Sequence, residues 1–227
     1  DLHSFPTRRS SDLEPAGGRY ITVSGFNESG DCVLVGESFV RAPEIAMIRK
    51  GEYRSVRSFD LGYADEAKDI KAVERVRWQA PDGLEIQGWL LRPEGKGPHP
   101  LVMNVHGGPL SHWHPMCLSR SSGVPVLMLV KHGYAVFFPN PRGSSGRGQD
   151  FARHVKGDMG GADTYDYLSG LDHLVEQGIA DPKRLGVTGA SYGGYMASWL
   201  ITQDSQIGRH TSELQSQNRI SYAVFCL

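Results

Sequence analysis

The sequence predicts an α/β fold with a parallel sheet between layers of helix, preceded by a short all-β stretch. Two observations carry this. Beyond Ala72, apolar runs at 100–105, 134–138 and 185–188 alternate with helical patterns at 124–131, 164–177 and 195–201. Strands that are apolar throughout are those covered on both faces by helices. Before residue 70 there are instead short β-rich runs between turn clusters, with no helical period.

In that first stretch Tyr20 to Ser24 is β-rich and Asn27-Glu28-Ser29-Gly30-Asp31 is a turn cluster. Cys32 to Ser38 is a second strand, Ala42-Pro43 breaks the chain, and Glu44 to Ile48 is a third. A segment of about 50 residues suits one blade of a β-propeller. One blade cannot bury its own faces and needs neighbours.

Near Ala72 the character changes. Val73 to Trp78 and Leu84 to Leu91 form a hairpin around Pro81-Asp82-Gly83. Pro100 to Val105 is a strand that runs into His106-Gly107-Gly108-Pro109. Val124 to Lys131 is a short helix closed by Gly133, and Tyr134 to Phe138 is a buried strand followed by a glycine-rich loop from Asn140 to Gly146. In the helix from Thr164 to Gln177, Leu168, Leu171, Leu174 and Val175 share one face. Leu185 to Thr188 is a strand, Gly189 to Gly194 a tight turn, and Tyr195 to Ile201 opens a helix.

Composition narrows the function classes. The 227 residues are 39% hydrophobic and 22% charged, with net charge −1. Such a balance gives no electrostatic footprint for nucleic acid or an anionic membrane. No apolar run reaches the roughly 18 residues of a membrane span. Cys32, Cys117 and Cys226 share no metal-type or redox-type spacing and read as unpaired thiols. Their scarcity leans towards a reducing, cytoplasmic compartment.

The chemistry is carried by Gly189-Ala190-Ser191-Tyr192-Gly193-Gly194, which fits G-x-S-x-G between a strand and a helix. That is the setting of a nucleophile elbow in an α/β-hydrolase, with Ser191 as the nucleophile. The serine sits on strained backbone, so its flanks must lack bulk. The helix that follows turns its N-terminus towards developing negative charge. His106-Gly107-Gly108-Pro109 follows an earlier strand, where such folds place an oxyanion loop; the expected donors are the Gly108 and Tyr192 N–H groups. His106 precedes the serine and reads as a brace rather than the base, because this fold orders its triad Ser, acid, His. His112-Trp113-His114 lacks acidic or cysteine partners at metal spacing, and neither metal nor cofactor is expected. Arg142, in a glycine-rich loop, fits either substrate contact or loop bracing. Asp163, Asp166 and Asp172 read as a solvated helix face and N-terminal dipole partners.

Several motifs in order resemble the prolyl oligopeptidase family of serine peptidases, in its acylaminoacyl-peptidase and dipeptidyl-aminopeptidase branch. They are Pro81-Asp82-Gly83-Leu84-Glu85-Ile86-Gln87-Gly88, His106 to Pro109, Asn140 to Gly146, Asp181-Pro182-Lys183-Arg184, and Gly189 to Tyr195. The resemblance implies hydrolysis of short peptides through an acyl-enzyme on Ser191. It also implies that the segment before Ala72 ends a β-propeller that gates peptide access. Two other readings stay open: an esterase acting on non-peptide esters, and a non-catalytic interaction protein. Oligomeric state is left open.

The ends have no structural period. His3 to Leu13 and the stretch from Ile207 to Leu227 resemble translated sequencing adapters, with an index around Gln217 to Arg219. The expected organisation is therefore 1–13 adapter-like, 14–70 the end of a propeller, 71–206 the N-terminal half of an α/β-hydrolase domain, and 207–227 adapter-like. Asp204 and His210 follow Ser191 in triad order. Asp204 would lie about 20 Å along a continuing helix, and His210 falls in the adapter-like tail. The chain as given is thus expected to lack a triad and to be inactive.

Overall fold

Apolar alternation and apolar runs separate the molecule into two kinds of sheet. The computed structural model describes residues 19–118, 124–204 and 223–225. They divide into two units, one of residues 19–68 with 114–118, the other of 69–113, 124–204 and 223–225.

The first unit is an antiparallel four-stranded sheet in sequence order: β1 (Arg19–Val23), β2 (Cys32–Ser38), β3 (Arg41–Arg49) and β4 (Glu52–Ser58). Alternation puts Cys32, Leu34, Ala46 and Ile48 on one face as a buried cluster, with Tyr53 packed against it. Two expectations change here. Pro43 does not break the chain but lies inside β3, where the pairing with β2 shifts between Gly36 and Ser38. A bulge is the place where a strand tolerates a residue without an N–H. The strand β4 was not expected, because Glu52 to Ser58 is almost wholly exposed and carries no apolar alternation. Side-chain bonds help hold it: Tyr53 Oη and Ser55 Oγ donate to the buried Glu44 carboxylate at 2.5 and 2.6 Å. A short helix, α1 (Tyr63–Ala67), follows, and Tyr63 Oη donates to the Phe39 carbonyl at 2.7 Å.

The second unit is a six-stranded sheet. Its strands are β5 (Ala72–Gln79), β6 (Glu85–Arg92), β7 (His99–Val105), β8 (Ala135–Asn140), β9 (Ala180–Gly189) and β10 (Ala223–Phe225), in the spatial order β10-β9-β7-β8-β6-β5. The central strand β7 runs parallel to both β8 and β9. Parallel neighbours need crossovers. One contains α2 (Val126–Lys131), the other α3 (Gln149–Arg153) and α4 (Ala162–Glu176). After β9 the chain enters α5 (Tyr192–Gln203), three residues earlier than the sequence pattern suggests. The β5–β6 hairpin joins β8 antiparallel, and β10 pairs antiparallel with β9. Apart from β10, the two end segments 1–13 and 207–227 lie outside the described residues, as does Cys226.

The core packs between sheet and helices: Ile86, Leu90, Leu101, Met103, Phe137 and Val187 from strands meet Tyr167, Leu174, Met196 and Leu200 from helices. Trp78 packs 5.4 Å from Phe137, centroid to centroid, and its Nε1–H donates to the Asp166 carbonyl at 2.9 Å. The C-terminal ends of β7, β8 and β9 point the same way, towards the loops that start at His106, Pro141 and Ala190. In open parallel sheets that is where ligands bind. No helix among the described residues is long and apolar enough to cross a membrane.

The register Gly88↔Pro139 leaves no room for a side chain on β6: a Cβ on Gly88 would lie 2.7 Å from the Phe138 carbonyl oxygen. Gly88→Ala should destabilise the second unit by about 1–3 kcal/mol through overpacking, read as a lowered urea midpoint.

Candidate active site

The turn from β9 into α5 is shaped by close backbone approach. A Cβ on Gly193 would lie 2.2 Å from the Val105 carbonyl oxygen, and one on Gly189 would lie 2.5 Å from Gly193 O and 2.8 Å from Val105 O. Glycine is therefore required at both positions. Between them Ser191 takes φ 57 and ψ −122, a left-handed φ that a residue with Cβ adopts only when its surroundings impose it. Gly193 N–H donates to the Ala190 carbonyl at 2.9 Å and Tyr195 N–H to the Ser191 carbonyl at 3.1 Å, which starts the helix. Ser191 is the N-cap residue, yet its side chain caps no amide. A serine at this position ordinarily turns its oxygen back onto the first turn. Here the residue is exposed, and among the described residues its hydroxyl makes no hydrogen bond.

The loop after β7 forms the facing wall. A Cβ on Gly107 would come 3.3 Å from Ser191 Cβ and 3.9 Å from its Oγ. Gly108 has φ +124, and a Cβ there would meet Leu110 N at 2.6 Å. Among the described residues, neither Gly108 N–H nor Tyr192 N–H makes a hydrogen bond. His106 is buried and bridges two loops, with Nδ1 2.8 Å from the Gly107 carbonyl oxygen and Nε2 3.0 Å from Ser144 Oγ. A carbonyl oxygen only accepts, so Nδ1 carries the proton. Burial pushes the imidazole down to about 4, so it is a neutral brace at ordinary pH. Further along, Trp113 N–H donates to Asn140 Oδ1 at 2.6 Å and Trp113 Nε1–H to the Asn104 carbonyl at 2.8 Å. His112 Nδ1 lies 2.8 Å from Ser145 Oγ.

Of the two roles open to Arg142, the geometry is that of a brace. Its Nη1 and Nη2 reach the two oxygens of Asp82 at 2.7 and 3.0 Å. Its Nε and Nη2 reach the Asp166 carboxylate at 2.9 and 2.8 Å, and its backbone N–H reaches Asp166 Oδ2 at 2.7 Å. One guanidinium thus ties the loop after β8 to the β5–β6 turn and to α4. Hydrogen bonds from Arg142 hold the Asp82 carboxyl down at about 2.

The acidic face expected on α4 is corrected. Asp163 and Asp166 are 1% and 0% exposed, and only Asp172 is on the surface. Asp163 Oδ2 accepts the Tyr192 phenol at 2.5 Å and its Oδ1 accepts Gly160 N–H at 3.0 Å. Burial raises both buried carboxyls above the ordinary carboxylate range. Spacing was a signal for this: 163, 167, 170, 171 and 174 fall on one helical face, and all five are buried. Asp204 closes the far end of α5, about 18 Å along the helix axis from the turn. His210 lies outside the described residues. Among the described residues no imidazole or carboxylate bonds Ser191.

Residues 121–207 match the prolyl oligopeptidase family. They belong to it. The chain is also 38% identical over 157 residues to the uncharacterized peptidase YuxL of Bacillus subtilis, covering 67% of this chain and 23% of that protein. It is 40% identical over 104 residues to the acylamino-acid-releasing enzyme of Arabidopsis thaliana, covering 46% of this chain and 13% of that one. The uncomplexed acylaminoacyl peptidase of Pyrococcus horikoshii superposes with a TM-score of 0.69 at 29% identity, over 85% of this chain and 30% of that chain. The chain therefore spans under a third of the length of these relatives.

The buried imidazole sets a pH dependence. His106 binds its proton near pH 4 when folded and near its ordinary 6.5 when unfolded. Between those values only the unfolded chain is protonated, so stability falls as pH drops from about 6.5 and levels off below about 4. The loss should total about 3 kcal/mol at most. Urea unfolding at pH 7 and 4.5 should show this slope, and it should shrink in His106→Asn.

Proposed function

We propose that the protein containing this chain is a serine peptidase that cleaves short peptides through an acyl-enzyme on Ser191. The observation that supports it most is the uncapped, exposed Ser191 hydroxyl, held at φ 57 against Gly107. In this reading the second unit is the N-terminal half of an α/β-hydrolase domain, and the first is a blade of a β-propeller. The relative named for releasing acylamino acids suggests substrates cleaved near a peptide N-terminus.

Ser191 Oγ attacks the scissile carbonyl carbon, and its proton passes to a histidine supplied from outside the described residues. The carbonyl oxygen becomes an oxyanion received by the Gly108 N–H of the loop after β7 and the Tyr192 N–H at the N-terminus of α5. Each such donor is typically worth about 3 kcal/mol in the transition state. Collapse breaks the C–N bond, the amine leaves with the histidine's proton, and the acyl group remains as an ester on Oγ. Water attacks that ester and gives a proton to the histidine; the acyl C–Oγ bond then breaks, Ser191 Oγ takes that proton from the histidine, and the acid is released. Arg142 shapes the site as a brace and touches no reacting atom. Among the described residues no base stands beside Ser191, and a serine hydroxyl without one is a weak nucleophile.

In the full-length protein, Ser191→Ala should lower kcat on acyl-aminoacyl or dipeptidyl chromogenic reporters by roughly 10⁴- to 10⁶-fold. Unchanged turnover in that variant would remove Ser191 from the mechanism. The isolated 227-residue chain should turn over neither reporter.

A further inference from the structure

With Ser191 as the nucleophile of that reading, we propose that Asp163 is a positioning residue for acyl transfer, fixing through the Tyr192 phenol the backbone amide that follows the nucleophile. Tyr192 is the first residue of α5, and its N–H belongs to the peptide plane it shares with strained Ser191. A peptide next to a left-handed serine relaxes by rotation unless neighbouring groups over-determine it. The Tyr192 side chain is one such restraint. Its hydroxyl donates to Asp163 Oδ2 at 2.5 Å, and its ring packs 5.6 Å from that of Tyr195. Asp163 cannot swing away, because its other oxygen accepts Gly160 N–H at 3.0 Å and the residue is 1% exposed.

A second strut runs parallel to the first. Trp199 Nε1–H donates to Thr164 Oγ1 at 3.0 Å, and Thr164 Oγ1 donates to the Gly160 carbonyl at 3.0 Å. Tyr192 and Trp199 stand two turns apart on one face of α5, while Asp163 and Thr164 are adjacent in the first turn of α4. The start of α4 therefore holds α5 at two heights, and the lower strut ends on the residue beside the nucleophile. Stability alone gives little reason for a buried carboxylate there, since an apolar pair of similar volume is often as stable or more so. What the charged, directional bond adds is a fixed orientation of Tyr192.

The test uses the full-length protein with Tyr192→Phe, Asp163→Asn and the double variant, alongside Ser191→Ala. Each single variant should lose about 10- to 100-fold in kcat, within the range seen when oxyanion geometry is disturbed, with KM within about twofold. The double variant should be no worse than the poorer single, because Tyr192→Phe deletes, and Asp163→Asn weakens, the same bond. Affinity for a peptide boronic acid, which places an oxygen at the oxyanion site, should fall by the same factor as kcat. Affinity for the cleaved product peptide should hold. Tyr192→Phe removes one oxygen and keeps the ring against Tyr195, so it carries the test alone if Asp163→Asn does not fold. Turnover of Tyr192→Phe within twofold of the parent overturns the proposal. So do losses that multiply in the double variant, or product affinity falling together with kcat. Full activity in Ser191→Ala overturns the nucleophile reading and this proposal with it, an outcome separable from the others.

Discussion

The Val105 carbonyl lies so near Gly193 that no other side chain fits, and the arrangement of the second unit's working end follows from that contact. It brings the start of α5 against the end of the central strand. The chain must then turn from strand to helix within a few residues, which forces Ser191 to positive φ and turns its hydroxyl away from the capping position. The same approach sets the loop after β7 beside the serine, with Gly107 as the wall. A central strand paired on both sides is the stiffest support such a contact can have.

Around this contact the loops are held by buried polar groups rather than by apolar packing. Arg142 gathers Asp82 and Asp166, His106 links Gly107 to Ser144, and Trp113 is bonded to Asn104 and Asn140. Loops after parallel strands have exposed backbone and few apolar side chains, so directional bonds are the means available to order them. Such bonds are costly to break singly. Removing one partner of a buried ion pair leaves an uncompensated charge, an effect of about 3–5 kcal/mol. The Asp166 carboxylate is wholly buried, which places that pair nearer this limit than the one with Asp82, whose side chain is 55% exposed.

Elements defined by apolar content were legible in the sequence. The strands β5 to β9 and the helix α4 appear where runs or periodicity put them, with ends moved by a few residues. The elbow was legible because its glycines answer a local steric demand. What escaped depends on partners distant in the chain. The strand β4 is polar and exposed, so its place comes from pairing with β3. The short helices α1 and α3 are too brief for a period to show. Asp163 and Asp166 looked solvated because their partners, Tyr192 and Arg142, lie 29 and 24 residues away. Arg142 was ambiguous for the same reason, since a loop arginine reveals its task only when its carboxylates are seen.

The most direct measurement is to treat the full-length protein with a serine-directed fluorophosphonate and map the modified peptide by mass spectrometry. The geometry around Gly107, Ser191 and Tyr192 predicts a single adduct on Ser191, formed at a rate that falls when a peptide substrate competes. An adduct on another serine, or none while the protein hydrolyses peptides, would contradict the assignment of Ser191 as nucleophile.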